Sequence, residues 1–308
     1  MASNLITDYF RPVSGRRKRP QAEAQQSWRG RREKLRLVAE ETNALLPRIL
    51  STRPEAPPIG QTCHGSKYEA LDPRFSPRLT AQVEILLGDT FDIATRLGPS
   101  LYPYNQNNAE HVCILNMANA KRPGGGWLNG ALAQEEALCY RSSLSSTLKH
   151  HYYPLRFLGA IYSPSVLIFR ESINQGHELM DLAKPELFPV VSVISVAAIQ
   201  EPELDRQHDP PRYKSPRDRE GMKLKMRLIL RIAAYKKHRR LVLGALGCGA
   251  FGNPNAEVAD CWAEVLREKE FQGWWEKIVF AILDDAKTIA QGNGNFDVFR
   301  DRLHGITM

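Results

Sequence analysis

No apolar run in these 308 residues approaches the roughly 18 needed to span a bilayer, so no membrane-crossing segment is expected. Residues 1–20 are polar and basic and lack the apolar stretch of a secretory signal. Cysteine is sparse. Cys63, Cys113, Cys139, Cys248 and Cys261 are scattered, odd in number and form no CxxC pair. No His/Cys cluster has zinc-ligand spacing. This excludes a disulfide framework and a zinc-finger site, and favours free thiols in a reducing compartment. No Gly-Lys-Ser/Thr follows a glycine run, so there is no P-loop, and no dinucleotide-binding fingerprint sits near the chain start. Internal repeats are absent.

The chain is basic overall at +8, but unevenly so. Residues 1–53 hold 12 Lys/Arg against 5 Asp/Glu, and the remainder is almost balanced at 30 against 29. The pI of 9.3 therefore belongs to the N-terminal segment and does not describe a basic body. A nucleic-acid-binding function is accordingly confined to that tail, because no RNA- or DNA-binding motif follows it.

The hydrophobic pattern predicts a disordered tail over 1–26 and a body over 27–308. A helix is expected from a Ser27 cap, with Leu35, Val38, Leu45, Leu46 and Ile49 as its apolar stripe, ending at the prolines of 54–58. Residues 59–80 read as irregular. Strands are expected at 83–87, 111–116, 165–169, 190–198, 241–246 and 278–283. Helices are expected to about Leu97 and over 134–150, 221–238, 255–270 and 296–303. Residues 201–220, charged and carrying four prolines, read as an exposed loop. Strands alternating with helices imply an α/β sheet covered on both faces.

Two glycine-rich loops each follow a strand: Gly124-Gly125-Gly126 and Gly247-Cys248-Gly249-Ala250-Phe251-Gly252. In open α/β sheets ligands sit at the carboxyl ends of strands, and main-chain N–H groups there can form anion-binding nests. Each could equally be an ordinary turn. Gln134-Glu135-Glu136 stands eight residues beyond the first loop, at a predicted helix start. Acidic residues in a first turn often only complement the helix dipole. Directly beyond a glycine cradle, however, a carboxyl pair suits glycoside chemistry, which needs one group to protonate a leaving oxygen and then activate water. By spacing alone Phe251 reads as a core residue, and Cys248 as a small loop residue.

Together, Asn116-Met117-Ala118-Asn119-Ala120, Pro123-Gly124-Gly125-Gly126 and Gln134-Glu135-Glu136 resemble the macrodomain-type poly(ADP-ribose) glycohydrolases in their compact bacterial and fungal form. Ile161–Pro164, Ala197-Ala198 and Gly244–Asn253 match as well, and the resemblance runs from about residue 28 to the C-terminus. It implies a three-layer α/β/α macrodomain fold with a mixed central sheet and an N-terminal helical extension. It also implies hydrolysis of ribose–ribose bonds in poly(ADP-ribose) and of chains on ADP-ribosylated proteins, within the DNA damage response and without a metal or other cofactor. Glu136 would be the catalytic acid/base and Glu135 would orient the ribose. Asn119 would bind the distal ribose hydroxyls, and Gln134 belongs to the same substrate-binding set. Gly124, Gly125 and Gly126 would line the diphosphate and ribose. Gly247, Cys248, Gly249, Ala250 and Gly252 would clamp the diphosphate through main-chain N–H groups, with Phe251 against the distal ribose. Asp89 matches an adenine-contacting position, although Gly-Asp-Thr-Phe departs from the Gly-Asp-Ile/Val-Thr of many macrodomains. A helix N-terminus lowers a carboxyl pKa whereas an acid catalyst needs it raised, so burial and the neighbouring glutamate must offset the dipole.

The tail segment Ser3–Phe10 resembles the PIP-type motif that docks on the sliding clamp, proliferating cell nuclear antigen, with Ile6, Tyr9 and Phe10 as its apolar cluster. Ser3 stands where the usual first Gln would be. Arg16-Arg17-Lys18-Arg19 reads as a nuclear localisation signal; the nucleus is expected, with the cytoplasm as the alternative. Two other functions share the pocket: a hydrolase for single ADP-ribose units, and a non-catalytic ADP-ribose reader, which would not need Glu135 and Glu136.

Overall fold

The computed structural model describes residues 21–98 and 110–308; the clamp-like motif and the basic run Arg16–Arg19 lie outside them. Nine strands follow in chain order: β1 (Gln61–His64), β2 (Val83–Leu87), β3 (Val112–Met117), β4 (Gly159–Leu167), β5 (Val190–Val196), β6 (Leu204–Asp205), β7 (Arg212–Tyr213), β8 (Arg240–Leu243) and β9 (Lys277–Ile282). Seven form one sheet, ordered β1-β4-β5-β3-β8-β9-β2. From β5 to β2 all neighbours run parallel, and β4 alone runs against both of its neighbours. The sheet is therefore mixed, as expected.

The helices are α1 (Gln21–Thr52), α2 (Thr90–Leu97), α3 (Gln134–Arg141), α4 (Leu144–Thr147), α5 (Pro216–Tyr235), α6 (Asn255–Leu266), α7 (Ala286–Gln291) and α8 (Asn295–Leu303). Strand side chains alternate between two cores, which is why the central strands are apolar throughout. Cys113, Leu115, Leu241, Leu243, Ile278 and Phe280 pack on one face with α5 and α6. Ile114, Val242 and Val279 pack on the other with Phe91 and Ile93 of α2, Leu138 and Tyr140 of α3, and Leu35 and Ala39 of α1. Three layers result. α1 is fastened to α3 by Thr42 Oγ1, which donates to the Tyr140 carbonyl at 2.9 Å.

Several boundaries differ from the sequence reading. α1 begins at Gln21 rather than at Ser27, through a Gln/Ala/Glu stretch of good helix formers. Residues 59–80 contain β1, a short edge strand whose residues Gln-Thr-Cys-His carry little apolar signal. The segment 134–150 is not one helix. After Arg141 the chain leaves the helix so that Ser142 can bridge Ile168, and the Ser142 hydroxyl accepts from the Leu144 amide at 3.1 Å. β4 starts earlier than expected, at Gly159, and shifts register between Ser163 and Val166, where Pro164 cannot donate to a ladder. Residues 201–220 are not wholly an exposed loop: β6 and β7 pair antiparallel, Tyr213 is buried and α5 starts at Pro216.

Candidate active site

β3 ends at Met117 and feeds the glycine run, and the first turn of α3 lies against that run. Glu136, the third residue of α3, reaches back so that its Oε2 accepts from the Ala133 amide at 3.0 Å. This is half of a capping box, and Ala133 offers no side chain for the other half. Glu136 Oε1 accepts from the Gly126 amide at 2.9 Å. Glu135 Oε2 accepts from the Asn119 amide at 2.7 Å, and its Oε1 from Asn116 Nδ2 at 3.3 Å. Main-chain N–H groups from both sides of the run thus hold the carboxyl pair. Both glutamates are buried, with 3% of Glu135 and 9% of Glu136 exposed, although both still line a cavity.

The glycines make this approach possible. At Gly125, with φ of 58°, a Cβ would overlap Glu136 Oε1 and sit 3.1 Å from Glu135 Oε2. At Gly124, with φ of 68°, it would meet the Trp127 ring at 2.7 Å. The Gly126 amide serves Glu136, and the Gly125 amide donates to the Arg122 carbonyl. The first loop is therefore a clamp for carboxylates, and these amides are already engaged.

Burial lifts the Glu135 carboxyl to about 8; the amide of Asn119 and the side chain of Asn116 work against that rise, and the Glu136 charge adds to it. Folding thus raises Glu135 above its unfolded value of 4.5. The stability this group contributes is complete below pH 4.5 and is lost as pH rises toward 8. Melting temperatures measured across that window should fall, and Glu135→Gln should flatten the dependence. An equally steep profile in the variant would assign it to another group.

Gln134 lines the cavity, but its amide is engaged in the fold: Oε1 accepts from Met117 N–H at 2.9 Å and Nε2 donates to the Leu115 carbonyl at 2.7 Å. It pins α3 to the end of β3. Asn119 Oδ1 accepts from the amides of Lys121 and Arg122, so Asn119 faces the cavity as a donor, through Nδ2.

Asp89 is engaged within the fold. It caps α2, accepting from the Phe91 and Asp92 amides, and it pairs with Arg141, which also binds Asp92 at 2.6 Å. It does not line the cavity that holds the glutamates. The Arg141 side chain is 3% exposed, so Arg141→Ala would strand two carboxylates at the helix start. A loss of about 3–5 kcal/mol is expected in denaturant unfolding.

The second loop leaves β8. Gly247, with φ of 77°, has no room for a Cβ against Ala198 and Asn253. Asn253 Nδ2 donates to the Ile199 carbonyl at 2.7 Å and to that of Gly247 at 3.1 Å, while its Oδ1 accepts from the Tyr213 hydroxyl at 2.8 Å. Cys248 and Gly252 donate within the loop, to Ala245 and Gly249. Among the described residues no acceptor takes the amides of Gly249, Ala250 or Phe251, which border the cavity. This second loop, unlike the first, has the free donors of an anion nest. Burial pushes the Cys248 thiol up, so it is no nucleophile. Phe251 is half-buried on the core and forms a wall of the cavity. Tyr213→Phe should cost about 1 kcal/mol and raise KM more than it lowers kcat, because it loosens the loop through Asn253.

Sequence reasoning does not single out Asn116 or Tyr213 for a role at the site. Asn116 carried a signal: a lone amide ending the apolar run Val112-Cys113-Ile114-Leu115 needs a buried partner. Tyr213 lay in a stretch whose prolines masked it. Among the described residues no group of three or more His, Cys, Asp or Glu side chains could hold a metal ion, and no helix is long and apolar enough to cross a membrane.

A buried carboxyl pair at a helix start, facing a nest of free amides across a cavity of about 200 Å³, defines a glycosidic-bond hydrolase built on an α/β/α sheet. Comparison with known proteins narrows this class. The profile of the microbial-type PARG catalytic domain matches residues 29–171. The poly(ADP-ribose) glycohydrolase of Thermomonospora curvata superposes with a TM-score of 0.69 at 26% identity, covering 88% of this chain and 99% of that one. That of Deinococcus radiodurans, solved in complex with ADP-ribose, superposes at 0.62 with 30% identity, covering 79% and 94%. No curated protein matches the chain. The chain belongs to the poly(ADP-ribose) glycohydrolase family.

Proposed function

We propose that this protein hydrolyses the ribose–ribose bonds of poly(ADP-ribose) and releases ADP-ribose, with Glu136 as general acid/base. The observation that carries this reading is the clamped pair: two carboxyls packed together against Gly125, both opening on the cavity bordered by Gly249, Ala250 and Phe251. A non-catalytic reader needs the nest but has no use for the pair. The Thermomonospora enzyme has also been solved with the inhibitor ADP-HPD, which supports an ADP-ribose-shaped ligand here.

The diphosphate binds the amides of Gly249, Ala250 and Phe251, and Asn119 Nδ2 donates to a ribose hydroxyl. The reaction starts with a proton on Glu136. Glu136 delivers that proton to the departing 2′-oxygen as the bond to C1″ breaks with oxocarbenium character. Ionised Glu136 then takes a proton from water as the water oxygen bonds to C1″. Glu135, fixed by Asn119 and Asn116, orients the ribose. Because Glu135 is raised to about 8, its carboxyl ionises as pH climbs past that value and adds a negative charge beside Glu136. Turnover on polymer should fall above it, and a flat rate to pH 10 would show that ionisation of Glu135 does not enter the reaction.

Incubation with poly(ADP-ribose) and with mono-ADP-ribosylated protein separates the readings. Free ADP-ribose from polymer supports the hydrolase; release from the single-unit substrate instead supports the narrower enzyme; release from neither, with tight binding, supports a reader. The tail supports two finer proposals, docking on the sliding clamp through Ile6, Tyr9 and Phe10 and nuclear import through Arg16–Arg19, which would place the activity in the DNA damage response. Clamp binding by a peptide of residues 1–20, lost on Tyr9→Ala/Phe10→Ala, tests the first.

A further inference from the structure

The turn between the glycine run and α3 is tied to Glu136 at both ends. The Gly126 amide donates to Glu136 Oε1 at 2.9 Å, and the Gly126 carbonyl accepts from the amides of Asn129 at 2.9 Å and Ala131 at 3.2 Å. At the far end the Ala133 amide donates to Glu136 Oε2. A shift of residues 127–131 therefore moves the donors that aim this carboxyl.

Two helices hold the turn. From α3, the buried Tyr140 hydroxyl donates to the carbonyls of Trp127 at 2.9 Å and Ala131 at 2.7 Å. From α1, Arg32 Nε donates to the Asn129 carbonyl at 2.7 Å, across 97 residues of sequence. Beside that bond lies Gly130, buried and with φ of 72°, where a Cβ would overlap the Arg32 carbonyl oxygen. Further along α1, Leu35 and Ala39 pack in one cluster with Trp127 and Tyr140, and Thr42 Oγ1 donates to the Tyr140 carbonyl at 2.9 Å. Residues 32, 35, 39 and 42 recur at the helical period and share a face about 15 Å long. That face splints the turn to the helix that carries Glu136. Its apolar contacts hold α1 close without fixing its register, whereas the directional Arg32 bond fixes the register at the turn itself.

We propose that Arg32 is a positioning residue for the hydrolysis. Through the Asn129 carbonyl and Gly126 it keeps Glu136 aimed at the glycosidic oxygen, although Arg32 does not line the cavity that holds the carboxyl pair. The inference rests on the glycohydrolase reading and adds that α1 sets the rate of the chemical step. A displacement of about an ångström at a reacting group can cost a hundredfold. Loss of one anchor among several should cost about tenfold.

The test compares Arg32→Met, which keeps the stem but removes the donor, with Arg32→Lys, whose ammonium can still donate, in the full chain. kcat on polymer should fall about tenfold in the Met variant and recover most of that loss in the Lys variant. The Kd for ADP-ribose should stay within twofold, because the amides of 249–251 are untouched. Melting temperatures should stay within about 2 °C of wild type, since Arg32 is exposed. In single-turnover reactions of Glu136→Gln, adding Arg32→Met should cost nothing further, because it acts through that carboxyl. Wild-type kcat in the Met variant overturns the role, and so do Lys and Met variants of equal activity. A full additional loss in the Glu136→Gln background, or a matching loss of ADP-ribose affinity, also overturns it. Wild-type protein that binds ADP-ribose but cleaves no polymer overturns the hydrolase reading instead, and is recognised without any Arg32 variant.

Discussion

Glu136→Gln is expected to lower kcat on poly(ADP-ribose) by about a thousandfold or more while leaving the Kd for ADP-ribose within threefold. A positioned general acid contributes roughly 10²–10⁴, and in the proposed mechanism the same group also activates water. The side chain keeps its length, so the cavity wall survives. One of the two amides that Glu136 accepts, Gly126 or Ala133, will instead face an NH2 group. Stability should therefore drop by about 1–2 kcal/mol, visible as a small fall in melting temperature. Glu135→Gln provides the contrast: its role in orientation predicts a smaller loss in kcat and a larger rise in KM. Near-wild-type turnover by the Glu136 variant would remove that residue from the chemistry.

The second large effect belongs to a residue with no functional group. Gly125→Ala places a methyl between the two carboxyls at a φ of 58°. Either the run shifts or both glutamates leave their amides, so kcat/KM should fall at least a hundredfold. The strained torsion and the overlap should cost about 1–3 kcal/mol. Gly30→Ala is the control. It lies within α1, where a Cβ meets nothing within 4 Å, and the change should stabilise the fold by about 0.5–1 kcal/mol. If Gly125→Ala retained full activity, the glycine clamp would not be what positions the pair.

The sequence alone revealed most of the frame. Parallel strands buried on both faces read as continuous apolar runs, so β3, β5, β8 and β9 were found within a few residues of their ends. β1 was not, since an edge strand with one buried residue has no run to show. The Gly–Gly–Gly and Gln-Glu-Glu motifs located the site, and the residues do meet there. What the motifs could not say is which partner each amide serves. The glycine run looked like a phosphate cradle, yet its amides hold carboxylates or close the turn. Nor could they say that Asp89 pairs with Arg141, 52 residues away in sequence. Such pairings are set by tertiary packing and leave no local pattern.

Most of the bonds that hold the carboxyl pair come from the peptide backbone, among them those of Asn119, Gly126 and Ala133. A peptide N–H is present whatever side chain its residue carries. The catalytic geometry is thus insulated from point changes around it: almost any residue at Ala133 preserves the bond, and only proline deletes it. Nearly all of the vulnerability is concentrated at the glycines, where the addition of one carbon matters more than a change of charge next door. Such a centre can keep its shape while the surface around it drifts.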